Sequence, residues 1–127
     1  MKKKKKEHLC ISISYQGTMP VTGEHPGICR DDCMRVTLSK EGYPDILAYA
    51  VVNFPEIDGK KVLFIHEIFS CQSGKTGERM LLDAIMDIAE KRGYTCICAN
   101  KGKTPERLLK RMGFQETDRN FLIKQVV

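Results

Sequence analysis

Residues Phe69 to Leu82 read FSCQSGKTGERMLL, and the fold of the whole chain turns on what this stretch is. Gly74-Lys75-Thr76 looks like the end of a nucleoside-triphosphate loop. Such a loop needs a first glycine five positions before the Gly-Lys pair, where the backbone curls around a β-phosphate. Here that position is Phe69, at the end of an apolar run. The segments before it read as short strands in a meander, not as the opening of a parallel nucleotide-binding sheet. A triphosphate loop is excluded on both counts. What remains is a strand, a short glycine-containing turn and a helix N-terminus, which together offer unpaired backbone N–H groups to an anion. Gly74 and Gly77 remove Cβ atoms from that turn, and Lys75 adds a cation. A turn that merely starts a helix also favours Gly and Ser, so the stretch alone leaves both readings open.

Outward from it, the hydrophobic rhythm changes. Upstream, Leu9–Tyr15, Met34–Ser39, Ile46–Phe54 (ILAYAVVNF) and Val62–Phe69 (VLFIHEIF) read as four strands joined by polar turns. Downstream, Met80, Leu81, Ala84, Ile85, Ile88 and Ala89 recur at helical spacing, predicting a helix from about Gly77 to Arg92 that stops at Gly93. Tyr94–Ala99 (YTCICA) predicts a fifth strand, parallel to the fourth because a helix separates them. Thr104-Pro105-Glu106 carries a hydroxyl cap, a first-turn proline and a carboxylate, and predicts a second helix ending at Gly113. Phe114–Glu116 and Asn120–Val127 close the chain as a strand pair. The expected fold class is α/β in the α+β sense: one domain, a mixed, mostly antiparallel sheet and a β-α-β crossover.

The 127 residues suit a single domain, taken as 9–127 after a basic tail at 1–8. The net charge of +5 resides in Lys2 to Lys6, and without them sixteen basic residues balance sixteen acidic ones. A terminal lysine run is ordinarily a solvated tail. No basic face accompanies it, Trp is absent, and nucleic acid is not expected as a partner. No apolar run approaches the roughly 18 residues of a membrane span, and no cleavage-site pattern follows the tail, so a cytoplasmic, membrane-free protein is expected. Of six cysteines, Cys10, Cys96 and Cys98 fall in strand-like runs as small hydrophobes. His25, Cys29 and Cys33 stand four apart but lack the partner pair of a zinc finger, and no metal site is assigned.

The ordered set of Val62–Phe69, CQSGKTGERMLLDAIMDIAEKRGYTCICAN and PERLLKRMGF resembles the GNAT-type N-acetyltransferase superfamily. Gln72, Lys75 and Gly77 occupy the positions of that family's Gln/Arg-x-x-Gly-x-Gly/Ala motif, with lysine in place of the middle glycine. Asn100 matches its strand-end Asn, and Gly113-Phe114 its closing pair. The resemblance covers about Val62 to Val127 and implies the acyl-CoA N-acyltransferase fold, with the usual pair of N-terminal helices reduced. It further implies that acetyl-CoA (coenzyme A) is the cofactor. Ser73, Gly74, Lys75, Thr76, Gly77 and Glu78 would hold its pyrophosphate beside Gln72. Ile68 and Phe69 would run along the pantetheine with Asn100, and a backbone N–H would polarise the thioester carbonyl. The expected partners are acyl-CoA and a primary amine, small or on a protein, which attacks the thioester directly. Glu67, slightly preferred, or His66 would take its proton. Adjacent strand residues face opposite ways, so one of the two at most is expected to face the cleft. Where the family carries a tyrosine acid, this chain has Leu109; Tyr94 or Cys98 could stand in, or the domain could bind acyl-CoA without turnover. A nucleic-acid-associated role for the lysine tail is the third alternative. The acceptor is not readable, and pairing of two copies through FLIKQVV is open.

Overall fold

The computed structural model describes residues 9–17, 33–40, 46–70 and 75–126, with side chains described over 33–39, 47–70 and 77–126. The lysine tail, His25, Cys29 and the turn residues Gln72, Ser73 and Gly74 lie outside the described residues. The elements are β1 (Leu9–Gly17), β2 (Cys33–Lys40), β3 (Ile46–Asn53), β4 (Glu56–Ile57), β5 (Lys60–Lys61), β6 (Leu63–Ser70), α1 (Lys75–Lys91), β7 (Cys96–Asn100), α2 (Glu106–Arg111), β8 (Gln115–Glu116) and β9 (Phe121–Gln125). Seven strands form one sheet in the order β1-β2-β3-β6-β7-β9-β8. Every pair in it is antiparallel except β6 and β7, which run parallel on either side of α1, as the sequence predicts.

One face of the sheet carries the core. Val36 and Leu38 of β2, Ala48, Ala50 and Val52 of β3, and Leu63, Ile65 and Ile68 of β6 pack against Leu81, Leu82, Ile85 and Ala89 of α1. Leu108 and Leu109 of α2 join the same cluster. Each of these larger side chains contributes about 1.5–3 kcal/mol by leaving water, which is why the helical period in 80–89 was decisive. Gly77 belongs to this packing: a Cβ there would meet Leu38 Cδ2 at 3.4 Å and Ala48 Cβ at 3.9 Å. Its smallness lets the first turn of α1 sit close on β2 and β3.

Both helices end as expected. Gly93 (φ 80°) follows α1, and the N–H of Tyr94 returns to the carbonyl of Ala89 at 2.9 Å. Gly113 (φ 100°) follows α2, with Phe114 N–H on Leu109 O at 3.0 Å. These are left-handed glycine stops of the same kind. The start of α2 differs from expectation. No side chain caps it, and the Thr104 hydroxyl donates instead to the Asn100 carbonyl at 2.7 Å, tying the loop back to the end of β7. The sequence also concealed a hairpin. Asp58 (φ 54°) and Gly59 (φ 79°) form the two-residue left-handed turn that joins β4 to β5.

Candidate active site

The site begins where β6 and β7 part. They pair at Leu63 with Ile97, Phe64 with Cys98 and Ile65 with Ala99, and no further. On its other side β6 stays paired with β3 as far as Ser70 opposite Ala48. From His66 to Ser70, then, β6 has a strand neighbour on one flank only. At the end of this gap the chain enters α1, whose first-turn N–H groups have no partner within the helix. Lys75 is the first helical residue, and the single non-glycine residue with positive φ among the described residues is Asp58. Lys75, at the motif position where the resemblance expects glycine, therefore sits in helical conformation.

A bulge opens the gap. Val51 of β3 faces Glu67, but the next residue, Val52, faces Ile65, so His66 is an extra residue in β6. A bulge shifts the alternation of side chains by one. Ile68 consequently joins Leu63 and Ile65 on the helix side. Glu67, opposite Val51, lies on the other face together with His66, whose ring lies 4.8 Å from that of Phe64. Strict alternation would have placed Glu67 with Leu63 and Ile65, and His66 with Ile68. That expectation is corrected: the two ionisable residues share one face.

Their surroundings differ. His66 is 1% exposed, and its Nε2 lies 2.8 Å from Asn53 Oδ1. The amide oxygen can only accept, so Nε2 carries the proton and donates. Glu67 is half-buried and better placed to meet a solvent-borne amine. Beyond it Phe69 is 50% exposed, its ring 5.5 Å from that of Tyr49.

Two groups of the chain reach across the gap. Asn100, at the end of β7 and 2% exposed, donates from Nδ2 to the His66 carbonyl at 3.2 Å, while its Oδ1 is buried without a hydrogen-bond partner. The Lys103 carbonyl accepts from the Ile68 N–H at 2.9 Å. One backbone amide of the stretch expected to run along the pantetheine is thus taken by the loop after β7. Below the gap, a groove of about 330 Å³ is lined by Glu78 of α1 and by Pro105, Glu106, Arg107, Leu108 and Arg111. The two arginines beside the first turn of α1 went unremarked in the sequence, because α2 looked like no more than a closing helix.

The stand-ins for a proton donor are not at this end. Leu109 is fully buried. Tyr94 precedes β7 and stacks on Phe54 at 5.1 Å, about 20 Å of strand away from Asn100. Cys98 lies in the paired part of β7, 1% exposed, and burial pushes its thiol well above the usual range. Burial raises the Cys96 thiol as well. Both line a separate cavity of about 340 Å³ on the Phe64 face, rimmed by the Arg119–Asp58 ion pair at 2.8 Å, near the start of β7 and away from the gap. Cys33 is buried, and no cluster of three or more His, Cys, Asp or Glu that could hold a metal ion occurs among the described residues.

No family model matches this chain, and no curated protein sequence does. Solved structures do. A provisionally assigned N-acetyltransferase from Lactobacillus plantarum superposes with a TM-score of 0.63 at 19% identity, covering 94% of this chain and 99% of its own. A GNAT-family N-acetyltransferase from Escherichia coli, solved in complex with CoA, gives 0.58 at 12% identity over 74% of this chain and 59% of its own. A GNAT-family acetyltransferase from Listeria monocytogenes gives 0.57 at 13% identity over 72% of this chain and 63% of its own. The chain has the acyl-CoA N-acyltransferase fold of the GNAT acetyltransferases.

Proposed function

We propose, from a chain with the fold of the GNAT acetyltransferases, that it binds acetyl-CoA in the gap between β6 and β7 and transfers the acetyl group to a primary amine. The observation that carries this is the end of β6–β7 pairing at Ile65, next to the bulge at His66, which leaves Glu67 in the stretch of β6 without a β7 partner. The pyrophosphate lies at the first turn of α1, where N–H groups and the positive end of the helix dipole favour an anion. Arg107 and Arg111 line the adjoining groove and add charge for the phosphates. The pantetheine follows β6, with the buried Asn100 Oδ1 accepting one of its amide N–H groups. The thioester carbonyl takes the Ile68 N–H in place of Lys103, so the loop after β7 gives way as the ligand seats.

Chemistry then needs little from the protein. Glu67 removes a proton from the incoming ammonium, directly or through water, and the free amine attacks the thioester carbon. The backbone N–H stabilises the oxyanion, the C–S bond breaks to release a thiolate, and the nitrogen's extra proton passes to that thiolate through water, leaving the amide and the free thiol. A thiolate is a stable leaving group, which makes the replacement of the family's tyrosine by Leu109 compatible with turnover.

Three observations favour a second reading, in which the domain binds acyl-CoA without transferring it. Leu109 is buried where the family has its acid, neither Tyr94 nor Cys98 lies at the open end, and the Ile68 N–H is already bonded. Calorimetric titration with coenzyme A, paired with thiol release from acetyl-CoA over an amine panel, separates the two. Binding with release supports transfer, and binding without release supports the second reading. Absence of binding overturns both. No helix among the described residues is long and apolar enough to cross a membrane; a cytoplasmic location is part of the proposal, and cell fractionation would test it.

A further inference from the structure

Cys96 and Cys98 take no part in the gap, yet they are placed together with care. They alternate along β7 with Ile97 and Ala99, which belong to the helix-side core. Both thiols therefore stand on the opposite side of the sheet, beside Val62, Phe64 and Phe121. The two thiols share a hydrogen bond, so their sulfurs lean toward one another. Both also line the cavity of about 340 Å³ at the start of β7. At 5% and 1% exposure these residues offer too little surface to grip an organic molecule, whereas an ion needs only the sulfur lone pairs.

Strand geometry decides what such a pair can do. Residues two apart on a strand have Cβ atoms about 6.6 Å apart, two rises of about 3.3 Å. A disulfide wants about 3.5–4.5 Å between Cβ atoms, so forming one would buckle β7 against its partners Ile123 and Gln125. An ion held between two sulfurs needs them roughly 4.6 Å apart, two metal–thiolate bonds of about 2.3 Å each, and the side chains reach that on a straight strand. Among the described residues no third His, Cys, Asp or Glu joins the pair in a group that could hold a metal. Of the rim carboxylates, Asp58 is occupied by Arg119 at 2.8 Å and Asp118 is exposed. An ion that demands three or four protein ligands is not served here, but a soft ion content with two thiolates is. Charge favours a monovalent one. Two thiolates and one such ion leave a single negative charge, and the fixed charges acting on the sulfurs are cations, Lys60 on Cys96 and Arg119 on Cys98.

We propose that Cys96 and Cys98 form a two-sulfur site for a soft monovalent metal ion of the copper(I) kind, reached from the cavity at the start of β7. On binding, each thiol gives its proton to solvent and each sulfur makes one bond to the ion. No electron is transferred, and the assembly carries one negative charge beside Lys60 and Arg119. The site stands apart from the gap and requires neither coenzyme A nor acyl transfer. The test uses the full chain, reduced and free of oxygen, with copper(I) delivered as its coloured bicinchoninate complex, which reports the ion it gives up. One retained equivalent is expected, with two sulfur neighbours in X-ray absorption. C96S and C98S should each hold it about a hundred-fold more weakly or not at all, since one thiolate leaves the second position to water. C10S and C33S should hold it like the parent. Circular dichroism checks the fold of each variant, and NMR of the parent gives a reading that needs no substitution. Amides of 96–98, and of Ile123 and Gln125 across the sheet, should shift with the first equivalent, while those of 34–38 in β2 should not. No equivalent retained against the chelator, three or more sulfur neighbours, an unmoved β7, or a C96S protein that binds like the parent would each overturn the proposal.

Discussion

Asn100 offers the sharpest test of the coenzyme A gap. Its Nδ2 donates to the His66 carbonyl across the opening, and its Oδ1 is buried without a partner. Turning the amide over would set oxygen against the His66 carbonyl oxygen, two acceptors face to face, so the orientation is fixed by its neighbour. A buried acceptor left unsatisfied costs about 1–3 kcal/mol. If a ligand amide satisfies it, binding recovers a similar amount. Asn100→Leu removes both polar atoms in a similar volume. In the free protein it removes the orphan oxygen but also takes the donor from the buried His66 carbonyl, two opposed effects of similar size, so stability should move by no more than about 1–2 kcal/mol. The ligand, by contrast, loses its acceptor. The expected result is a Tm within a few degrees of the parent and a coenzyme A dissociation constant raised about 5- to 150-fold, by the usual 1.4 kcal/mol per decade. Thermal melting and calorimetric titration of the same sample read the two quantities. Asn100→Asp keeps an acceptor but places a carboxylate against the His66 carbonyl, and should lose several degrees of Tm. An Asn100→Leu protein that is stable and binds coenzyme A like the parent would refute the assignment of Oδ1 to the ligand. A loss of affinity matched by an equal loss of stability would refute it as well.

The remaining predictions concern chemistry, the buried thiols and the fold. Glu67→Gln should reduce thiol release by about 10²-fold or more while leaving coenzyme A affinity unchanged; the same loss from His66→Gln, with Glu67→Gln active, would reverse the assignment. Arg107→Ala and Arg111→Ala should weaken coenzyme A more than its dephosphorylated pantetheine fragment, read by calorimetry at two salt concentrations. Burial raises the Cys98 thiol, so the folded state binds the proton more tightly than the unfolded chain. Its contribution is therefore intact below the unfolded thiol's range near pH 8.5 and is lost as pH rises above it, at roughly 1.4 kcal/mol per pH unit. Cys98→Ala should flatten the fall in Tm between pH 8.5 and 10 relative to the parent. Gly113→Ala forces a side chain to φ 100° and sets its Cβ 2.8 Å from Lys124 Nζ. The lysine tip can swing away but the backbone cannot, and a loss of about 1–3 kcal/mol in denaturant unfolding is expected.

What the sequence disclosed and what it hid follow from range. Periodicity is local, and it yielded α1 because Leu81, Leu82, Ile85 and Ala89 all fall on one stripe. Glycine stops at Gly93 and Gly113 were legible for the same reason, since each is needed by the residue's own φ. The parallel β6–β7 pair followed from the helix between them. The bulge at His66 left no such trace. VLFIHEIF reads as a regular strand, and only its register against β3 shows that one residue is extra. That single insertion turned the expected choice between His66 and Glu67 into a shared face. Thr104 misled in the opposite direction: its hydroxyl suited a cap, but the Asn100 carbonyl at 2.7 Å outcompeted the helix end. Gly77 shows how one residue can satisfy a motif for another reason, since its missing Cβ faces Leu38.

The same contrast bears on how the site works. The loop after β7 is drawn toward the gap by three hydrogen bonds: Thr104 to Asn100 O, Asn100 Nδ2 to His66 O, and Ile68 N–H to Lys103 O. Each satisfies a backbone group that the bulge and the end of β6–β7 pairing would otherwise leave bare. A strand cannot be opened in the interior of a sheet at no cost, and in the free protein this loop meets that cost. A thioester arm lying along β6 would offer the same kinds of group, an amide N–H for Asn100 and a carbonyl for Ile68. Ligand binding then becomes an exchange of like for like, with the loop released as the arm enters. Hydrogen exchange follows the exchange directly. The Ile68 amide should stay protected with and without acetyl-CoA, while the Lys101 amide, which donates to the Asn120 carbonyl at 3.2 Å in the free protein, should lose protection when it binds. Loss of protection at Ile68 in the complex would mean that the arm does not follow β6, and the proposed path along the strand would fail with it.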